Sequence, residues 1–305
     1  ASDSPENVFY SFFIKRQDFN PEFYHHQTIM SIEIARTESG FVEYSSTGTG
    51  QPILFVHGGH SNCEETLFQK GFDTEKFRLI TPSRPGYGNT PLASGASPED
   101  AATLLNSFLD SLDLEKVIVI GVSAGGLTAV ELAAKYPAKV EKLILISAVT
   151  KKWLQPEDPM YKKGKMLFSE KMEKYSWGMY RFFFRLFPGL MSTVMLKELT
   201  TTGSFRLSSD EIDELRDMVF SQRSYSGFVN DLDQNIAPQT IKLISCETLI
   251  LHSQNDAAVS VDMAHHAEAN IKNATLKVYD NTWGHLLWLG EESKQPIADV
   301  MGFVF

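Results

Sequence analysis

The sequence predicts an α/β fold: a mostly parallel, doubly wound sheet with an N-terminal β-hairpin and a helical segment inserted between two strands. Three observations carry this. Six short apolar runs recur through the chain without strict alternation, as strands buried on both faces do. Segments of helical period separate most of them, which is the βαβ rhythm. One interval of about 95 residues, Thr150 to Cys246, breaks that rhythm and is far longer than the dozen or so residues a crossover needs.

"TIMSIEIARTESGFVEYS", Thr28 to Ser45, alternates apolar and polar residues around Glu38-Ser39-Gly40 and reads as the hairpin. The strands follow at "PILFVHGG", "FRLITPSRPGYG", "KVIVIGVSAGG", "KLILISAV", "ETLILHSQND" and "ATLKVYDN". "SPEDAATLLNSFLDSL" is a helix with Ser97 as N-cap, Pro98 at its first position and Glu99 and Asp100 near the positive end of the dipole. Leu104, Leu105, Phe108, Leu109 and Leu112 fall on one of its faces. A second helix runs through Leu127, Val130, Leu132 and Ala133 and stops before Pro137. The expected division is an N-terminal extension 1–27, a core of 28–149 and 247–305, and a helical cap 150–246 above the strand ends. A doubly wound sheet binds its ligand at those ends.

Composition bounds the function. The 305 residues are 43% hydrophobic and 11% aromatic, as in a packed globular protein. Twenty-eight basic against thirty-eight acidic residues give a net charge of −10, which argues against a general nucleic-acid binder. Two cysteines, Cys63 and Cys246, lie too far apart for a metal-binding spacing and read as inert thiols. No window reaches the roughly 18 apolar residues of a membrane span, and the start lacks signal-peptide order. The expectation is a cytoplasmic protein, although a chain beginning on Ala1 leaves a cleaved upstream segment open.

Gly121-Val122-Ser123-Ala124-Gly125 matches G-x-S-x-G in the strand–turn–helix setting that a nucleophile elbow requires. The flanking glycines permit a strained turn that projects the hydroxyl at the strand end. A serine needs a base to accept its proton. Of eight histidines, His25 and His26 precede the sheet, His265 and His266 lie on a surface helix, and His252 reads as a core histidine. His285, in "DNTWGHLLWL" after the last strand, is best placed to reach Ser123. Asp256, at the carboxyl end of the preceding strand, is the acid that would orient it; its plainer role is to cap the helix near Ser260. Glu157 and Asp158 are the fallback, and Asp280 lies too close to His285 along the strand. The oxyanion donors are expected at the amides of Ala124 and Gly59, with His60 as the neighbouring substrate-binding residue.

"FVHGG", "SRPGYGNT", "GVSAGG", "LHSQND" and "WGH", in this order, resemble the α/β-hydrolase fold family, in particular its carboxylesterases and carbon–carbon bond hydrolases with a cap. The resemblance spans Thr28 to Phe305 and implies the order Ser, Asp, His along the chain. It assigns "SRPGYGNT" to structure, with Arg84 free to pair with an acid and Gly86 and Gly88 shaping a turn. Serine at 123 disfavours the family's dehalogenases and epoxide hydrolases, and "HGGH" lacks the loop of its proline iminopeptidases.

In the cap, "MYRFFFRLFPGLM" admits three readings: a buried helix ended by Pro188-Gly189, a pocket roof in which Phe183 and Phe184 touch an apolar acyl group, or a weak lipid-surface contact. The expected activity is a serine hydrolase acting on an ester or related acyl bond of a small to medium hydrophobic substrate, with no metal or organic cofactor. Its rivals are a C–C hydrolase of a vinylogous diketone and a ligand receptor that keeps the three residues but turns over little. The sequence leaves the oligomeric state open.

Overall fold

A computed structural model describes residues 31–305. The expected extension 1–27, His25 and His26 within it, and the first three residues of the expected hairpin lie outside the described residues. Eight strands form one sheet in the order β1-β2-β4-β3-β5-β6-β7-β8. β1 (Ser31–Thr37) and β2 (Gly40–Gly48) make the hairpin, in which Thr37 pairs with Gly40. β3 (Gln51–Val56), β4 (Phe77–Pro82), β5 (Val117–Val122), β6 (Val140–Ile146), β7 (Glu247–Ser253) and β8 (Ala274–Tyr279) are the six apolar runs; their pairings with one another are parallel, and β4 also joins the hairpin through an antiparallel pairing with β2.

Alternate side chains of the central strands enter two different cores. Val117 and Val119 of β5 pack with α1 (Pro98–Ser111) and α2 (Gly126–Lys135); Ile118 and Ile120 pack on the other face with Val300 and Val304 of the C-terminal helix (Lys294–Val304). This two-sided burial is why the strands read as continuous apolar runs. Two strands depart from the expectation for a physical reason. β8 is an edge strand with alternating exposure rather than a doubly buried one, and at the opposite edge β1 leaves Ile32 and Ile34 exposed.

Local chemistry sets the helix starts. The Ser97 hydroxyl accepts the Asp100 amide at 3.1 Å, with Pro98 next in line. Both cysteines are free; burial pushes the Cys63 thiol up to about 12.

Between β6 and β7 lie α3 (Pro159–Leu167), α4 (Glu173–Leu186), α5 (Pro188–Leu196), α6 (Ser209–Ser221) and α7 (Gly227–Asp231). Among the described residues this insertion contributes no strand, only a single antiparallel bridge from Thr200 to Asp256. Its own core, built on Trp177, Phe184, Leu215 and Val219, continues into Trp283, Leu286 and Leu289 after β8. The chain winds from β3 to β4 on one side and returns to β5 on the other. The β3/β5 junction is therefore the switch point of the sheet, where two strand-end loops diverge and leave a crevice.

Candidate active site

β5 delivers Ser123 to that crevice. Its φ is 50°, left-handed for a residue with a side chain, and the tight turn is held by the amide of Val149 on the Ser123 carbonyl at 2.9 Å. Two glycines make the turn possible by close approach. A Cβ on Gly125 would overlap the Val56 and His57 carbonyls, and one on Gly121 would stand 2.6 Å from the Ala129 methyl.

The Ser123 hydroxyl lies 3.0 Å from His285 Nε2, and His285 Nδ1 lies 2.7 Å from Asp256 Oδ2. A carboxylate only accepts, so Nδ1 carries the proton and Nε2 is left to accept from the serine. Asp256 uses its two oxygens separately, and neither caps the helix near Ser260: that helix, Asp262–Asn270, starts from Val261 with no side-chain cap, and the acid instead ties down the turn ahead of it. Oδ1 accepts the amides of Ala258 and Val259 at 2.9 and 2.8 Å, while Oδ2 faces the imidazole. His252, fully buried on β7, is the core histidine expected, with Nε2 at 2.8 Å from the Val259 carbonyl and 3.3 Å from Asp256 Oδ2. Burial by itself would raise the Asp256 carboxyl, but the neighbouring imidazoles of His285 and His252 outweigh it and hold the group down at about 2. Of the other acids considered, Asp158 accepts the Gln155 amide and Asp280 accepts from the Asn255 side chain.

The insertion braces this relay. The Leu199 carbonyl accepts the amides of both Ala257 and His285, at 3.2 and 2.9 Å, so one peptide ties the acid loop to the base loop. Thr201 donates to the Asn255 carbonyl at 2.8 Å, and the Thr200 hydroxyl to the Thr282 carbonyl at 2.8 Å. From β6, the Ser147 hydroxyl donates to the His285 carbonyl at 3.1 Å. Gly284, at φ 55°, fits where a side chain would strike the Leu199 and Asn255 carbonyls.

The loop after β3 runs beside the serine: a Cβ on Gly58 would stand 3.0 Å from that of Ser123. Among the described residues, no carbonyl in the turns and loops takes up the Gly59 or Ala124 amide. His57 locks the loop. Its Nδ1 donates to the Gly58 carbonyl and its Nε2 accepts the Arg84 amide. Arg84 grips the same loop through the His57 and Gly58 carbonyls at 2.7 and 3.2 Å and pairs with both oxygens of Asp231, at 2.8 and 2.7 Å. The Tyr87 hydroxyl donates to Asp231 at 2.5 Å. Arg84 thus has the structural, acid-paired role expected of it, and its partner comes from the insertion.

His60, at φ 65°, sits on the Phe228 ring with centroids 3.7 Å apart. Trp177 donates to the Ser224 hydroxyl at 2.7 Å, leaving that hydroxyl to donate to His60 Nδ1, also at 2.7 Å. Burial pushes the His60 imidazole down to about 3; burial first, then the Arg84 charge, drives His57 well below the ordinary range. The roof residue over Gly59 is Phe228, whose ring a Cβ there would meet at 2.9 Å. The two phenylalanines singled out in the sequence are elsewhere. Phe184 is fully buried in the insertion core against Tyr180 and Phe220, and Phe183 faces outward beside Phe182. Helical period explains the difference: successive residues turn by about 100°, and on α4 the inner stripe is narrow enough that Phe184 stays within it while Phe183 swings out.

Two surface cavities, of about 440 and 350 Å³, are lined by other residues, the first by Thr150, Lys152 and Ile236 and the second by Asn89 and Tyr225; neither touches Ser123. Among the described residues no group of three or more His, Cys, Asp or Glu is arranged to hold a metal. Ser147, Leu199 to Thr201, Ser224 and Asp231 escaped the sequence reading. No motif marks them; the one available signal was that Arg84 needed an acid.

A family model described as alpha/beta hydrolase fold matches residues 51–291. The chain belongs to the α/β-hydrolase family. This α/β-hydrolase is 39% identical over 279 residues to the uncharacterized hydrolase YcgS of Bacillus subtilis (strain 168), covering 90% of this chain and 98% of that one. It is 25% identical over 262 residues to the 2-hydroxy-6-oxononadienedioate/2-hydroxy-6-oxononatrienedioate hydrolase 1 of Pseudomonas putida, covering 80% and 85%. A solved thermophilic esterase from Thermogutta terrifontis superposes with a TM-score of 0.69 at 23% identity, over 90% of this chain and 98% of that one.

Proposed function

We propose that the protein is a serine hydrolase that cleaves an ester or related acyl bond of a small to medium hydrophobic substrate. The observation that carries this reading is the unbroken hydrogen-bonded relay from the Ser123 hydroxyl through His285 to Asp256. In the proposed reaction His285 Nε2 takes the hydroxyl proton as Ser123 Oγ attacks the carbonyl carbon. The amides of Gly59 and Ala124 stabilise the oxyanion. The imidazolium, steadied by Asp256, returns the proton to the leaving alkoxide. Water, deprotonated by the same imidazole, then releases the acid from the acyl-enzyme. The insertion acts as the cap, with Phe228 and His60 beside the reacting carbonyl.

A second reading, hydrolysis of a carbon–carbon bond in a vinylogous diketone, uses the same three residues, and the name of the Pseudomonas relative favours it. Turnover of p-nitrophenyl acetate and butyrate decides between them. Rapid release that Ser123→Ala abolishes supports the esterase. Release no faster than in Ser123→Ala, from a protein that still cleaves a dienone diketone, favours the second reading. No turnover of either class overturns both in favour of a receptor.

A further inference from the structure

We propose that the outer face of α4 and α5 docks on an anionic lipid surface. A helix that packs on a protein core needs one apolar stripe, and α4 has two. Its inner stripe, Trp177 and Phe184 with Tyr180, fills the insertion core. The opposite stripe carries Tyr175, Met179, Phe182 and Leu186 at helical spacing and continues through Phe187 to Leu190 on α5. These six side chains are between 54% and 70% exposed. Among the described residues, nine of the seventeen exposed large apolar side chains fall within Met172–Val194, so the exposure is concentrated rather than scattered.

Charge identifies the occupant. In a chain of net charge −10, the exposed stretch Met172–Val194 holds three cations, Lys174, Arg181 and Arg185, against a single acid. That acid, Glu173, is buried on the inner side and taken up by Arg223 at 2.7 Å. Arg181 is anchored on the Gln222 carbonyl and the Arg185 guanidinium lies over the Phe220 ring, which sets these two cations on the flank of α4 that faces α6 and leaves Lys174 exposed beside them. Aromatic and aliphatic side chains rimmed by cations match the boundary between anionic headgroups and acyl chains. A second copy of this chain fits less well, because a two-fold contact would set the same cations against each other. The association is peripheral: among the described residues no helix is long and apolar enough to cross a membrane.

Co-sedimentation of the full chain with vesicles of phosphatidylglycerol and of phosphatidylcholine tests this. Binding to the anionic vesicles is expected, weakened by 0.5 M salt and reduced at least tenfold in Phe182→Glu/Phe187→Glu. Lys174→Glu weakens it by about fivefold or more at low salt. Both variants keep the wild-type circular dichroism and melting temperature, since none of the three side chains is buried. Equal affinity for neutral vesicles, or no binding to either, overturns the proposal. So does a concentration-dependent dimer that Phe182→Glu/Phe187→Glu dissociates, which assigns the face to self-association.

Discussion

Ser123 is held at a positive φ between two glycines at which an added Cβ would overlap neighbouring atoms, and the reactivity proposed for it depends on that strain being maintained from outside. Gly125→Ala is expected to cost several kcal/mol, because the Val56 carbonyl closes β3 and the His57 carbonyl is held by Arg84, so neither can retreat freely; a melting temperature within a degree of wild type contradicts this. Removing the hydroxyl is a different kind of change. Ser123→Ala is expected to lower kcat by about 10⁴-fold or more, with the melting temperature unchanged. Asp256→Asn keeps the shape but loses the charge that fixes the imidazole tautomer, and a kcat loss of about 10³ to 10⁴-fold is expected. The placement of Ser123 at the end of β5 was legible because G-x-S-x-G leaves a local mark between a strand and a helix. His285 and Asp256 were legible from their positions at strand ends. The Ser224 hydroxyl that orients His60 was not, because its partners lie 164 and 47 residues away in the chain.

At the scale of the elements, the insertion does more than cover a crevice. Asp231 of α7 reaches down to Arg84, and Arg84 holds the two carbonyls of the loop that carries Gly59. Leu199, between α5 and α6, spans the acid and base loops. Asp231→Ala strands a buried guanidinium and is expected to destabilise by about 3–5 kcal/mol in denaturant melts. Its effect on hydrolysis should fall on kcat more than on KM, since the loop beside the oxyanion loses its anchor. A loss confined to KM contradicts that link. The strands and the first two helices followed directly from apolar period and from the Ser97-Pro98 cap, whose hydrogen bond the structure contains. The insertion did not yield in the same way. α4 is apolar on both faces, and a run such as "RFFFRLF" does not reveal which phenylalanine turns inward.

At the scale of the whole molecule, burial of the His57 and His60 imidazoles in their neutral form shapes the response to acid. His57 and His60 have folded-state values below the ordinary 6.5, so under that pH the unfolded chain binds protons that the folded chain refuses. The stability they allow is complete above pH 6.5 and declines as pH falls, by up to about 1.4 kcal/mol per pH unit for each histidine. Asp256, held at about 2 against an ordinary 3.8, adds stability present above pH 3.8 and lost on the way down to 2. Urea melts from pH 8 to pH 4 should show a plateau followed by loss beginning near pH 6.5; a flat profile down to pH 5 contradicts the burial of the two rings.

The central claim is that residues 123, 285 and 256 act as one relay that activates a hydroxyl. Reaction with a fluorophosphonate, followed by mass mapping of the modified peptide, tests it most directly. The account expects a single phosphonyl adduct on Ser123, formed within minutes, slowed at least about 10³-fold in His285→Gln and absent in a folded Ser123→Ala. An unmodified wild type, or an adduct that persists in Ser123→Ala, contradicts it.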